Sequence, residues 1–160
     1  MMKAIFLDRD GVINQERGDY TWKIEDWKFT VDIISFLQKT SKMGFKHIVI
    51  TNQGGIAKGL YTHQDVKALH RYMQSELEKN GIEMLDVFYS PYHSDFSESL
   101  SRKPESLMFE KAIYIYGINV STSVMIGDSQ RDIVAAEKVG LKAFKVDANG
   151  PLNHIIDYLK

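Results

Sequence analysis

Short apolar runs alternate along the chain with longer segments in which apolar residues recur every three or four positions. "KAIFL" (3–7), "KHIVI" (46–50), "LDVFY" (85–89), "SVMI" (123–126) and "KAFKV" (142–146) predict β-strands. The periodic segments at 31–43, 62–80, 105–116, 130–139 and 151–159 predict helices. Punctuation supports these limits. Thr62 and Asp65 have the spacing of a capping box, Pro104 suits a first helical turn, and Gly44, Gly81, Gly117 and Gly140 stand where helices end. Alternating strands and helices predict an α/β protein with a central parallel sheet and helices on both faces. No internal repeat breaks the pattern, and the serine-rich run "SPYHSDFSESLS" (90–101) is the one candidate linker.

In an open parallel sheet, ligands bind beyond the carboxyl ends of the strands, so the residues that follow each strand carry the functional reading. After the first comes "FLDRDGVIN", with Asp8 and Asp10 one residue apart. On an extended backbone these two point the same way. Two like charges at such range raise one pKa unless a cation or a proton relieves them. "TNQGGIAKG", with Thr51 and Asn52, follows the second strand, and "GDSQRD", with Asp128 and Asp132, follows the fourth. Arg102 and Lys103 of "RKP" lie ahead of a helix, placed to reach the same rim.

Carboxylates, a hydroxyl, an amide and a cation at one rim suit phosphoryl transfer. Two carboxylates with a substrate phosphate and waters are the usual ligands of Mg²⁺. A carboxylate nucleophile divides a slow hydrolysis into two steps through an aspartyl-phosphate. The expected roles are Asp8 as nucleophile, Asp10 (with a raised pKa) as acid and base, Asp8 and Asp128 on Mg²⁺, and Lys103 and Thr51 on the phosphate.

Each residue also has a plainer reading. Asp8 and Asp10 suit a solvated strand end turning at Gly11; Thr51 suits the end of a β-branched strand; Asn52, Gly54 and Gly55 suit a tight turn. Asp132, three after Ser129, has the spacing of a helix cap, and that alternative stays open. Arg102 and Lys103 also read as surface cations. The five histidines, at 47, 63, 70, 93 and 154, have no metal-ligand spacing, and "DYTWKIEDWKFT" reads as a packed loop or short flap.

Composition narrows the class. A chain of 160 residues fits one domain with a real core. A formal net charge of −1 argues against a nucleic-acid or anionic-membrane partner. There are no cysteines, hence no disulfide and no thiolate metal site. No apolar run reaches the length of a signal segment or a membrane span, so a cytoplasmic protein is expected.

"DRDG", "TNQGGIAKG", "RKP" and "GDSQRD", in that order and spacing, resemble the four motifs of the haloacid dehalogenase (HAD) superfamily of phosphatases. Within it, "FLDRDGVIN" and "TNQGGIAKG" are similar to the branch of D-glycero-D-manno-heptose 1,7-bisphosphate and histidinol-phosphate phosphatases. The resemblance implies a Rossmann-like, capless α/β/α sandwich over 1–160. It implies Mg²⁺ dependence with Asp8, Asp10 and Asp128 at the metal. Asp8, Asp10, Thr51 and Lys103 would be catalytic. The substrate residues would be Glu16, Arg17, Gly18 and Asp19, then Thr51, Asn52, Gln53 and Gly54, then Arg102 and Lys103. The expected substrate is a small phosphorylated metabolite, and the expected assembly a monomer or small homo-oligomer.

One departure from that branch is informative. Its members carry a zinc loop of cysteines and a histidine ahead of the Arg-Lys-Pro, where this chain has Ser90, Tyr92, Ser99 and Ser101. Hydroxyls do not replace thiolates on structural zinc, so no zinc is expected, and the loop is either packed or mobile. Val12 stands where the first motif often has Thr. Heptose 1,7-bisphosphate 7-phosphatase is the leading reading, ahead of histidinol-phosphate phosphatase and polynucleotide 3'-phosphatase. A receiver-type signalling domain or a bare phosphate-binding module is the non-enzymatic alternative.

Overall fold

The computed structural model describes residues 1–160. Five strands, β1 (Ala4–Leu7), β2 (Lys46–Asn52), β3 (Asp86–Ser90), β4 (Val124–Gly127) and β5 (Lys142–Lys145), form one sheet in the order β3-β2-β1-β4-β5. Every pairing is parallel. The helices are α1 (Ile33–Lys42), α2 (His63–Glu78), α3 (Leu107–Tyr116) and α4 (Gln130–Lys138). None is long and apolar enough to cross a membrane.

The strands alternate faces, and each face has its own core. Ile5, Leu7, Val49 and Ile126 pack with Phe36 and Leu37 of α1 and Leu69, Met73 and Leu77 of α2. Ala4, Phe6, Ile48, Ile50 and Met125 pack with Met108, Phe109 and Ala112 of α3 and Ala135 and Ala136 of α4. Because β1 lies between the two layers, all four of its residues are fully buried, which explains the uninterrupted apolar run "AIFL".

Helix ends follow the local chemistry. Thr62 Oγ1 accepts from Asp65 N at 3.2 Å, and Asp65 Oδ2 accepts from Thr62 N at 2.8 Å. Gly117 ends α3 in the left-handed conformation. Two expectations change. Residues 151–159 do not form an α-helix; Asn153–Tyr158 wind as a 3₁₀ helix. Asp32 takes the N–H groups of Leu152 and Asn153, each at 2.9 Å, and Leu152 and Ile155, three apart, bury their side chains, which suits three residues per turn. Pro104 does not open α3, which begins at Leu107, because Asn52 holds the preceding backbone out of the helix. Asn52 Oδ1 accepts from Lys103 N at 2.9 Å, and Asn52 Nδ2 donates to Lys103 O at 3.0 Å.

The chain leaves β1 toward β2 on one side and returns to β4 on the other. This is a topological switch point, where the loops diverge and leave a crevice at the carboxyl ends. Asp8 and Asp128 are the first residues beyond β1 and β4.

Candidate active site

The crevice gathers three carboxylates around one ammonium. Asp8 continues the β1 ladder through its N–H to Ile126 O at 3.0 Å. One oxygen each of Asp8, Asp128 and Asp132 lies within 4.8 Å of the others. Lys103 Nζ, almost fully buried, is 3.0 Å from Asp8 Oδ1, 2.6 Å from Asp132 Oδ1 and 2.7 Å from Ile50 O. Asp132 also accepts from Ser129 N at 3.1 Å, so it caps α4 while it pairs with the lysine.

Two glycines make room for the cluster. A Cβ on Gly127 would lie 2.3 Å from Asp132 Cβ. One on Gly11, whose φ of +87° also favours glycine, would lie 2.2 Å from Asp128 Oδ2.

Burial raises the pKa of Asp8 well above the usual carboxylate value; Lys103 opposes this, and Asp132, Asp128 and Asp10 add to it. Burial also raises Asp128. For Lys103, burial works against the charge, but Asp8 and Asp132 outweigh it and raise the pKa. Three carboxylates facing one ammonium leave an excess of negative charge. Asp132 is engaged by Lys103 and Ser129, so Asp8 and Asp128 are the hard oxygen donors left for a divalent cation such as Mg²⁺.

Asp10 departs from expectation. Its carboxylate is turned to a different set of partners: Arg9 Nη2 at 2.8 Å and Asn14 Nδ2 at 2.9 Å on Oδ1, and Gln53 Nε2 at 3.1 Å on Oδ2. Its carboxylate lies outside the cluster of Asp8, Asp128 and Asp132. The expected rise in pKa is corrected. Burial pushes it up, but the Arg9 guanidinium and the hydrogen bonds from Asn14, Arg9 and Gln53 bring it below the usual value.

Arg9, which the sequence reading left unassigned, is completely buried and also donates to Thr21 O at 2.7 Å. Its Nη1 lies 3.2 Å from His70 Nε2. Arginine has no acceptor, so His70 accepts and is neutral there. Burial, helped by Arg9, pushes the pKa of His70 down to about 3. The available signal was alternation: between two residues facing the crevice, the middle one faces the core, and a cation there needs an anion beside it.

The cleft, about 230 Å³ in volume, is lined by Asp8, Asp10, Glu16, Asn52, Gln53, Gly54, Arg102, Lys103 and Asp128. Tyr20, Thr21, His93 and Arg131 line it as well and were not anticipated. Thr51 lies fully buried behind this surface, where its Oγ1 accepts from Gln53 Nε2 at 2.9 Å. Gln53 in turn accepts from Tyr61 Oη at 2.8 Å, so one amide aligns Thr51 and Asp10. Arg17 instead pairs with Asp26 at 2.7 Å. Gly18 and Asp19 line an adjoining shallow depression together with Glu16 and Tyr20, which also line the cleft. The "DYTWKIEDWKFT" segment covers the site edge: Trp22 stacks on Tyr61 and Trp27 packs edge-on against Phe29.

The 90–101 segment is closed by hydroxyls. Ser101 Oγ lies 2.8 Å from both Ser90 Oγ and Ser99 Oγ. Arg102 Nη1 donates to Tyr92 O at 2.9 Å across the same loop. The side chains at these positions do not fit a zinc ion.

Comparison with known proteins agrees with this geometry. Residues 100–149 match the HAD-hydrolase-like family model. Relatives align over most of the chain, and with Asp8 placed at the end of the central strand they establish that it belongs to the HAD-like hydrolases. D-glycero-alpha-D-manno-heptose-1,7-bisphosphate 7-phosphatase of Photorhabdus laumondii is 37% identical, covering 94% of this chain and 85% of its own length. D-glycero-beta-D-manno-heptose-1,7-bisphosphate 7-phosphatase of Helicobacter pylori is also 37% identical, over 94% of this chain and 86% of its own. The crystal structure of D,D-heptose 1,7-bisphosphate phosphatase from B. bronchiseptica, complexed with magnesium and phosphate, superposes with a TM-score of 0.84. It is 28% identical, with 90% of this chain and 80% of that chain covered.

Proposed function

We propose that residues 1–160 form one phosphatase domain that removes the 7-phosphate of D-glycero-D-manno-heptose 1,7-bisphosphate through an aspartyl-phosphate on Asp8. The observation that carries this reading is the placement of Asp8 between Lys103 and Asp128 at the switch point, in a chain whose relatives are heptose bisphosphate phosphatases.

Asp8 attacks phosphorus, and the bond to the leaving oxygen breaks as the new O–P bond forms. Lys103 neutralises the phosphate and opposes the rise in the pKa of Asp8 that burial causes, so it favours the ionised nucleophile without fully offsetting burial. Asp8 and Asp128 would hold Mg²⁺, which would supply charge neutralisation for the phosphate. Asp10 gives its proton to the leaving alkoxide; it then takes one from the water that attacks phosphorus, which frees phosphate and restores Asp8. Arg9 keeps Asp10 ionised in the resting state, which suits the base step. A phosphate entering beside Asp10 adds negative charge and raises its pKa, so that Asp10 takes up a proton from solvent or from the phosphate monoester before the acid step. Thr51, whose Oγ1 is held by Gln53 Nε2, is read with Lys103 as a ligand of the phosphate.

We further read the protein as a cytoplasmic, Mg²⁺-dependent enzyme without zinc, acting on a small phosphorylated metabolite. The test is Mg²⁺-dependent phosphate release from heptose 1,7-bisphosphate, histidinol phosphate, a 3'-phosphorylated oligonucleotide and an aryl phosphate, compared by kcat/KM. Preference for the heptose by about two orders of magnitude or more is expected if binding energy from the whole substrate is used. Preference for histidinol phosphate or the oligonucleotide would replace the substrate while keeping the chemistry.

A further inference from the structure

Arg131 and Arg102 stand in an electrostatic arrangement that nothing in the protein explains. Both line the 230 Å³ cleft, and both also line an adjoining cavity of about 700 Å³ bordered by the serine-rich loop. Neither arginine takes part in any of the ion pairs of the molecule. The one side-chain hydrogen bond of Arg102 goes to Tyr92 O, and the guanidinium of Arg131 makes none.

The two charges feel each other. Burial lowers the pKa of Arg102, and Arg131 lowers it further, against weaker pulls from Tyr20 and Asp95. Arg131 also sits in the first turn of α4, where the helix dipole disfavours a cation. Lys103 does not relieve the pair, because its ammonium is taken by Asp8 and Asp132. The acids bordering the larger cavity do not relieve it either: Glu105 pairs with Lys138 at 3.1 Å, and Glu98 makes no ion pair.

We infer that Arg131 is a specificity-determining residue that, with Arg102, clasps an anionic group of the substrate remote from the reacting phosphate. The inference rests on the proposed bisphosphate substrate and adds this residue to it. Planar guanidinium groups match phosphate oxygens two at a time. Two of them at the junction of the cavities leave the reacting phosphate to Lys103 and the carbon chain to span the space between. An anion there also relieves the repulsion within the pair, so binding gains from both sources.

The experiment compares heptose 1,7-bisphosphate with heptose 7-phosphate, which lacks only the remote phosphate, in the wild-type protein, Arg131→Gln and Arg131→Lys. The ratio of kcat/KM for bisphosphate over monophosphate is expected to fall about tenfold or more in Arg131→Gln, mainly through KM, and less in Arg131→Lys. An unchanged ratio overturns the inference, as does an equal loss on both substrates. A second arm is independent of the heptose: fructose 1,6-bisphosphate and fructose 6-phosphate are compared as inhibitors of aryl phosphate turnover. Tighter inhibition by the bisphosphate that disappears in Arg131→Gln supports the clasp even if the heptose proves not to be the substrate. Inhibition by the two sugars in the same ratio with and without Arg131 overturns it.

Discussion

Lys103 and Asp8, 95 positions apart in the chain, meet at 3.0 Å in the floor of the cleft. The lysine is buried between two carboxylates, so removing it strands both. Lys103→Met is expected to lower kcat/KM by about 10³ or more through lost electrostatic stabilisation. It is also expected to lose roughly 3–5 kcal/mol of stability, the usual effect of breaking a buried ion pair from one side. Phosphate release and urea unfolding measure the two. Wild-type stability in this variant would mean that the carboxylates do not need the lysine.

Asp8 carries the opposite balance. Its folded pKa is raised above the unfolded value of 3.8, so its contribution to stability is present at low pH and is lost as pH rises from about that value through the folded pKa. At neutral pH without divalent cations, Asp8→Asn is therefore expected to have a higher Tm than the wild type. Added Mg²⁺ is expected to raise the wild-type Tm more than that of the variant, because the variant has lost one of two anionic ligands. Thermal melts with and without Mg²⁺ decide both points; equal Mg²⁺ shifts would remove Asp8 from the metal site.

The strands, the helix faces and the crevice residues were legible because each depends on local spacing. "AIFL" reads as a doubly covered strand, and Asp8 and Asp128 follow from where strands end. What depended on side-chain direction across the chain was not. Spacing alone pairs Asp10 with its neighbour Asp8, whereas its carboxylate meets Arg9, Asn14 and Gln53, the last 43 positions away. The pairing of Arg17 with Asp26 likewise depends on how the segment folds rather than on spacing. The helix expected at 151–159 failed for a related reason: Asp32, 120 positions from Leu152, dictates how that segment winds.

His47 supplies a pH signature of the fold. Thr40 Oγ1 donates to Phe36 O at 2.9 Å, so it accepts from His47 Nε2 at 2.8 Å. Burial, with a smaller push from Lys46, lowers the pKa of His47 from 6.5 to about 4. In that window the unfolded chain binds the proton and the folded one does not, so stability falls as pH falls, by roughly 3 kcal/mol for this residue across the window. His47→Gln is expected to flatten the slope of urea midpoint against pH between about 6.5 and 4, leaving the part due to His70, whose pKa is lowered in the same direction. An unchanged slope would show that His47 titrates normally in the folded protein.

The serine contacts predict how the loop beside Arg102 is held. Ser101→Ala removes the hydroxyl that meets both Ser90 and Ser99. A stability loss of about 1–2 kcal/mol and a several-fold rise in KM are expected, since the loop leads directly into Arg102 and Lys103. A zinc-selective chelator is expected to leave the Tm of the wild type unchanged. A chelator-induced drop in Tm would contradict a loop closed by hydroxyls.

The central claim is tested most directly by phosphate release from D-glycero-D-manno-heptose 1,7-bisphosphate with Mg²⁺, measured side by side for the wild type and Asp8→Asn at equal concentrations of folded protein. The account predicts one phosphate released per heptose by the wild type and none above background by the variant. Turnover by Asp8→Asn at the wild-type rate would contradict it.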